Sequence, residues 1–301
     1  KCQHFSAQIM QQINHTTPQA HQYLNPLCHI AKPPQQIHYL GTLPEERRPS
    51  VAIVGSRRPT RYGREVTEQF ARELTRQGVI IISGLALGID SIAHQACVAV
   101  GGTTIAVLGN GLPRIYPANH TALAGDIVAK GGAVVSEHLA GDGYRFGSWS
   151  FLERNRLVAG LADVVVITEA AERSGTLNTA AHALEQGKDV FAVPGNITSP
   201  LSQGCNNLLK QGALPATSPA DILAVMTITP PQRQQSENAT LPLGSTPLEA
   251  AIIKLLRQGL RDGEEMQRRL GTPISEFTIA LTMLEINGVI RSLGANQWTL
   301  A

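Results

Sequence analysis

What this 301-residue sequence has little of narrows its function before any motif is read. Cysteine is sparse, and Cys2, Cys28, Cys97 and Cys205 form no Cys-x-x-Cys pair. That spacing argues against a disulfide framework or a zinc site, so no metal is expected and a reducing cytoplasm fits best. No apolar run approaches the ~18–20 residues that cross a bilayer. The opening KCQHFSAQIM also lacks the apolar core of a signal peptide. A cytoplasmic protein with no membrane association is expected, and the opening on Lys fits a trimmed start. Net charge is nearly absent, with 25 basic residues against 23 acidic ones giving +2. Any affinity for a polyanion must therefore come from local clustering. Residues 1–44 contain no Asp or Glu and are rich in Gln and His. Their five histidines (His4, His15, His21, His29, His38) never stand at i, i+4, so compositional bias explains them better than metal binding.

Two nucleotide signatures are also missing. There is no G-x-G-x-x-G and no G-x-x-x-x-G-K-[ST]. The second apolar run ends in Ser83-Gly84, where a dinucleotide site needs an acid for the ribose. NAD and ATP are not expected, and no other cofactor is.

What is present is ample apolar material, 43% of the chain, with 16% charged. That is enough for a packed core and too apolar for wholesale disorder. Short β-branched runs occur at 51–54, 79–82, 104–108, 133–136, 163–168 and 189–193. Helix-like stretches such as 62–77, 90–100 and 177–186 lie between them. Continuous apolar strands alternating with amphipathic helices predict a parallel sheet covered on both faces. The expectation is α/β: an extended Rossmann-type parallel sheet over residues 45–226, entered through a packed N-terminal leader, 1–44. Residues 227–247, with four prolines and no apolar period, read as a linker. Three helices (248–258, 263–270, 275–287) and a two-stranded wing then predict a small winged-helix domain over 248–301.

In such sheets ligands bind beyond the carboxyl ends of the strands, and the sequence there is unusual. Six arginines and no acid lie between Arg47 and Arg64. Within that run Gly55, Ser56, Arg57 and Arg58 follow the first strand and precede a helix N-terminus, which favours anions. Further glycine-rich turns at Ser83–Asp90, Leu108–Leu112, Arg173–Thr176 (with Ser174, Gly175 and Thr176) and Pro194–Asn196 present backbone and hydroxyl groups on the same rim. Asp90 reads as the N-cap of the following helix, with His94 structural on the same face. The segment Tyr144–Ala162 interleaves Tyr144, Phe146, Trp149 and Phe151 with Arg145, Arg154 and Arg156. In a chain with only 4% aromatics, four aromatics in eight residues beside arginines suit unpaired bases and their phosphates. The bland alternative is a core-facing helix with Leu152, Leu157 and Leu161 buried. The last helix of the winged-helix domain is acidic and apolar, which suits protein contact better than base reading.

Six motifs, in order, resemble the DNA-processing protein A family (DprA, also called Smf) over roughly residues 37–300. They are VAIVGSR (51–57), SGLALGIDSIAH (83–94), TIAVLGNGL with IYP (104–117), FLERNRLVAGLAD (151–163), SGTLNTAAHALEQGKDVFAVPGN (174–196) and GCNNLLKQGA (204–213). The resemblance implies a single-stranded DNA carrier rather than an enzyme. It would protect incoming strands during natural transformation, help load RecA recombinase and self-associate as a homodimer through its Rossmann domain. It maps the phosphate pocket onto Gly55, Ser56 and Arg57, with the 83–88 loop and Asn155 nearby and Phe151 as the family's aromatic. It makes residues 1–44 the remnant of a helical domain that many relatives carry. Two competing readings stand beside it. Ser174-Gly-Thr with Glu185 loosely resembles the GGxGTxxE motif of Rossmann-type nucleotide phosphoribohydrolases, although Thr179 stands where that motif has its Glu. A winged-helix transcription regulator is the other, and the acidic last helix weakens it.

Overall fold

The computed structural model describes residues 13–226 and 246–300, Ala295 excepted. Most of the expected linker, 227–245, lies outside the described residues, as do His4 and Cys2. The chain divides into two compact units, Lys1–Pro231 and Gln232–Ala301.

The larger unit is built on one nine-stranded sheet, ordered β1-β2-β6-β5-β4-β3-β7-β8-β9. Its strands are β1 (Asn14–Thr16), β2 (Ile37–Gly41), β3 (Ser50–Val54), β4 (Ile80–Ser83), β5 (Thr104–Leu108), β6 (Ala133–Ser136), β7 (Val164–Ile167), β8 (Asp189–Ala192) and β9 (Leu214–Pro215). From β6 to β9 all neighbours are parallel, with β3 central: Val51 pairs Ile81 of β4 and Ala52 pairs Val165 of β7. Strand β2 joins antiparallel to β6, and β1 to β2. The stretch read as a leader thus extends the same sheet, and its Tyr23, Leu24 and Leu27 are fully buried.

The strands are buried on both sides because helices cover both. Ala52, Val54, Ile80, Ile82 and Val107 face one layer with Leu157, Leu161, Ala180 and Ala183. Val51, Ile53 and Ile81 face the other, with Phe70, Leu74, Ile89 and Ala93. This alternation is the period-2 geometry of a strand with apolar partners above and below. Seven helices of this unit are α1 (Arg61–Arg76), α2 (Ile89–Ala99), α3 (Thr121–Ala129), α4 (Ser148–Leu161), α5 (Thr176–Glu185), α6 (Gln203–Lys210) and α7 (Pro219–Val225). Helix α1 shows how local sequence sets an element. The Thr60 hydroxyl accepts from the Gly63 amide to cap its start, and Thr67, Phe70, Ala71 and Leu74 bury one face. It stops in a Schellman turn: Gly78 takes φ +80°, its amide donates to Thr75 O, and Val79 N donates to Leu74 O.

One expectation is corrected at α2. Its N-cap is Gly88, and Asp90 lies inside the first turn. The Asp90 carboxylate turns back instead to accept from the amides of Gly84 (3.1 Å) and Ala86 (3.4 Å). His94 is structural: buried, with Nδ1 2.7 Å from Thr104 Oγ1.

The smaller unit has α8 (Pro247–Arg257), α9 (Gly263–Leu270) and α10 (Ile274–Ile286), then the hairpin β10 (Ile290–Gly294) and β11 (Gln297–Leu300). Three helices and a wing form a winged-helix domain around Ile252, Leu256, Met266, Phe277, Leu281 and Leu284.

Candidate nucleic-acid interface

Strand order reverses across β3, since β4 continues the sheet on one side and β7 on the other. Loops leaving β3 and β7 therefore part in opposite directions and leave a crevice at their carboxyl ends. A cleft of about 450 Å³ occupies that place. Its lining brings together nine of the residues singled out in the sequence: Gly55, Ser56, Arg57, Phe151, Arg154, Asn155, Ser174, Gly175 and Thr176.

Each is held by its neighbours. A Cβ on Gly55 would lie 2.7 Å from Ile89 Cγ1 and 2.9 Å from the Glu169 carbonyl, so only glycine lets the β3 loop pass there. The Ser56 amide donates to Glu169 O (2.8 Å) and the Ile89 amide to Ser56 O (3.1 Å), tying the β3 loop to those after β7 and β4. Thr176 Oγ1 donates to Gly55 O (3.0 Å), and Asn155 Nδ2 reaches Asn178 Oδ1 (3.2 Å). Helix α5 starts at this wall, so its partial positive end faces the cleft. Arg57 is exposed, and its guanidinium lies over the Phe151 ring, 5.2 Å from the centroid. A cation there is attracted by the ring face and remains free to meet an anion.

Arg154 forms the floor. Its Nη1 donates to Gly84 O (2.6 Å) and to Val107 O, strapping the ends of β4 and β5. Burial draws its pKa down to about 10, a value that leaves it fully charged at neutral pH. Burial pushes the neighbouring Asp90 carboxyl up, while Arg154 and the Gly84 and Ala86 amides hold it down.

Four singled-out residues do not line the cleft. Arg58 is exposed beside it, its amide donating to Ser56 Oγ (3.1 Å). Ser83 is fully buried and donates to Ile53 O (2.7 Å), joining β4 to β3. Gly84 lies beneath, where a side chain would collide with the Arg154 guanidinium. Arg156 is buried elsewhere, paired with Glu137 at 2.5 Å. Two positions along a helix turn about 200°, so Arg154 and Arg156 cannot face the same side. Arg173 and Asp90, the outer residues of two of the glycine-rich turns, also line the cleft, as does Thr179, which was not assigned to it. Arg173 directly precedes the Ser174-Gly-Thr motif, and Thr179 stands one turn after Thr176, so adjacency and helical spacing carried the signal. Glu185 is remote: it sits exposed at the end of α5, 3.2 Å from His182. Asp90 is the one carboxylate in the lining, and two backbone amides already occupy it.

A Rossmann-type sheet with a basic, aromatic-walled cleft at its switch point, followed by a winged helix, is the class of two-domain α/β protein to which the chain's fold and site belong. Similarity to known proteins sharpens this. The family model described as DNA recombination-mediator protein A matches residues 14–227, and the DprA winged helix domain matches residues 231–296. The chain belongs to this DprA/Smf family. Protein Smf of Escherichia coli (strain K12) is 47% identical over 179 residues, 58% of this chain and 46% of that protein. DNA processing protein DprA of Streptococcus pneumoniae is 41% identical over 198 residues, covering 66% of this chain and 69% of that one. The chain thus spans about half the length of the E. coli relative (46%) and 57% of Protein Smf from Synechocystis. Among solved structures, the S. pneumoniae DprA superposes with a TM-score of 0.63 at 37% identity, over 72% of this chain and 76% of that one. The Helicobacter pylori protein, described for its single-stranded DNA binding mode, gives 0.62 at 31% identity over 72% and 96%. Among the described residues no helix is long and apolar enough to cross a membrane.

Proposed function

We propose that this chain is a single-stranded DNA-binding protein that protects incoming strands during natural transformation and helps load RecA recombinase onto them. It works as a homodimer through its Rossmann-type unit, in the cytoplasm and without enzymatic turnover of the DNA. The observation that carries this reading is the cleft at the switch point. Arg57, Arg154 and Arg173, the start of α5 and the hydroxyls of Ser174 and Thr176 offer phosphate contacts beside the Phe151 ring. Phosphate contacts fix a strand without reading it, and an aromatic face stacks on any base. The DNA-binding set is then Gly55, Ser56, Arg57, Phe151, Arg154, Asn155, Ser174, Gly175 and Thr176, with Arg58 at its edge and Ser83, Gly84 and Arg156 supporting the frame. The winged helix contributes protein contact, since its α10 exposes Ile274, Ile279, Met283 and Ile286 where a base reader would carry polar groups.

Binding of a fluorescent oligonucleotide, single-stranded against duplex, across a salt series tests the reading. Single strands are expected to bind far more tightly, with affinity falling steeply as salt rises. No binding, or a preference for duplex, refutes it. Incubation with nucleoside monophosphates is expected to release no free base; release would restore the phosphoribohydrolase reading, which the position of Glu185 opposes.

A further inference from the structure

Beyond the cleft, three aromatic rings from two separate segments meet at the surface. Tyr116, from the loop after β5, lies 5.5 Å from Phe151 and 5.2 Å from Phe146, and Phe146 lies 5.2 Å from Phe151. Packing that served only the core would bury such rings, yet Tyr116 and Phe146 are 42% and 40% exposed. Phe151 lines the main cleft. Tyr116 and Phe146 instead line a second hollow of about 200 Å³, with Asn110, Gly111, Arg114 and Tyr144. The ring cluster is therefore the wall shared by two adjoining hollows. Cations stand on both sides: Arg57 over Phe151, and the exposed Arg114 in the lining of the second hollow, with the exposed Arg145 standing between Tyr144 and Phe146 in the chain. None of the three has a carboxylate within ion-pair distance among the described residues, and no acid lines the second hollow.

The geometry points to a second nucleobase subsite, in which Tyr116 and Phe146 stack the base next to the one held at Phe151 and Arg114 meets its phosphate. Three features select an unpaired nucleotide as the occupant. The hollow lies across the ring cluster from the cleft, one aromatic layer away. Its charge is of one sign. Three rings, Tyr116, Tyr144 and Phe146, stand in its lining, and ring faces bind a flat base whatever its identity. Each protomer then engages at least two successive nucleotides, and replacing either aromatic changes base stacking while leaving the phosphate contacts of the cleft in place.

This inference rests on the single-strand reading above, and the experiment separates the two. Anisotropy of a labelled oligothymidylate of about 20 nucleotides, longer than one site, is measured for the full chain and for Tyr116→Ala, Phe146→Ala, Tyr116→Phe and Arg57→Ala. A fully abasic strand of the same length serves as second probe. Tyr116→Ala and Phe146→Ala are each expected to weaken oligothymidylate binding roughly 5- to 150-fold, the range of base–aromatic stacking, with an unchanged salt slope. Tyr116→Phe should bind like the parent chain, and all the aromatic variants should hold the abasic strand as well as the parent does. Parent-like binding of oligothymidylate by both alanine variants overturns the subsite. Equal loss on the abasic strand also overturns it, because the effect would then be on the frame or on phosphate. If Arg57→Ala alone loses affinity, the cleft stands and the subsite falls. A parent chain that binds no single strand sinks both.

Discussion

Arg154→Met would remove the guanidinium that straps two strand ends beneath the cleft while keeping most of its volume. The side chain is 6% exposed, and its Nη1 donates to the carbonyls of Gly84 and Val107. Methionine removes both hydrogen bonds and the positive charge that favours the ionised form of the buried Asp90 carboxyl. Hydrogen bonds made by a charged group are worth about 1.5–3 kcal/mol each, so losing two costs at least about 3 kcal/mol. For a unit of this size that is a fall in Tm of at least roughly 6–12 °C. The loss should depend on pH in a definite direction. Burial already raises the Asp90 pKa above its ordinary 3.8, and Arg154 opposes that rise. Without Arg154 the folded-state pKa climbs further, so the native state holds the Asp90 proton more tightly than the unfolded chain does. Stability is then greatest below the ordinary carboxyl value and drains away as pH rises through the raised one. The variant's deficit should accordingly be large at neutral pH and shrink on acidification. Urea unfolding at several pH values measures this, and the Arg154→Met/Asp90→Asn double variant should recover part of the loss. A variant as stable as the parent at neutral pH, or a deficit that Asp90→Asn leaves untouched, would refute the reasoning.

Other outcomes follow from the same geometry. Arg57→Ala should lower single-strand affinity and reduce the salt slope by about one phosphate, with an unaltered Tm because the side chain is exposed; unchanged affinity in the folded variant removes Arg57 from the site. Gly84→Ala should displace the Arg154 guanidinium and reproduce a weaker form of the Arg154→Met phenotype in urea unfolding. His94, held by burial at about 3 against an ordinary 6.5, should make the protein lose stability as pH falls from 6.5 toward 3, since the unfolded chain takes the proton first. The slope should not exceed about 1.4 kcal/mol per pH unit, and a His94→Gln variant should lack it. In the winged helix, Thr246→Ala removes the hydroxyl that accepts from the Glu249 amide and should cost about 1 kcal/mol, readable as a lower unfolding midpoint.

Where the signal was periodic or local, the sequence was enough. Runs such as 51–54 and 104–108 are apolar at nearly every position, as a strand covered on both faces requires. Glycines such as Gly78, just after α1, mark where the intervening helices stop. The Ser-Gly-Thr turn, the Gly55-Ser56-Arg57 loop and Phe151 announced themselves by composition at strand ends. What composition could not decide was direction. Arg154 and Arg156 look equivalent in the sequence, yet the helical turn sends one to the cleft floor and the other to Glu137. Asp90 looks like a cap, yet the β4 loop folds back over it and supplies two amides. The polar segment 14–41 has no strand-like alternation strong enough to predict pairing, and it becomes part of the sheet because β6 leaves an open edge. Tyr116, Phe146 and Phe151, thirty-odd residues apart at their widest, meet only because the loop after β5 and the approach to α4 end on the same rim. Strand and helix character belong to neighbours along the chain and are written there. Which side chains share a cleft depends on contacts between distant segments, and those exist only once the sheet has set its order.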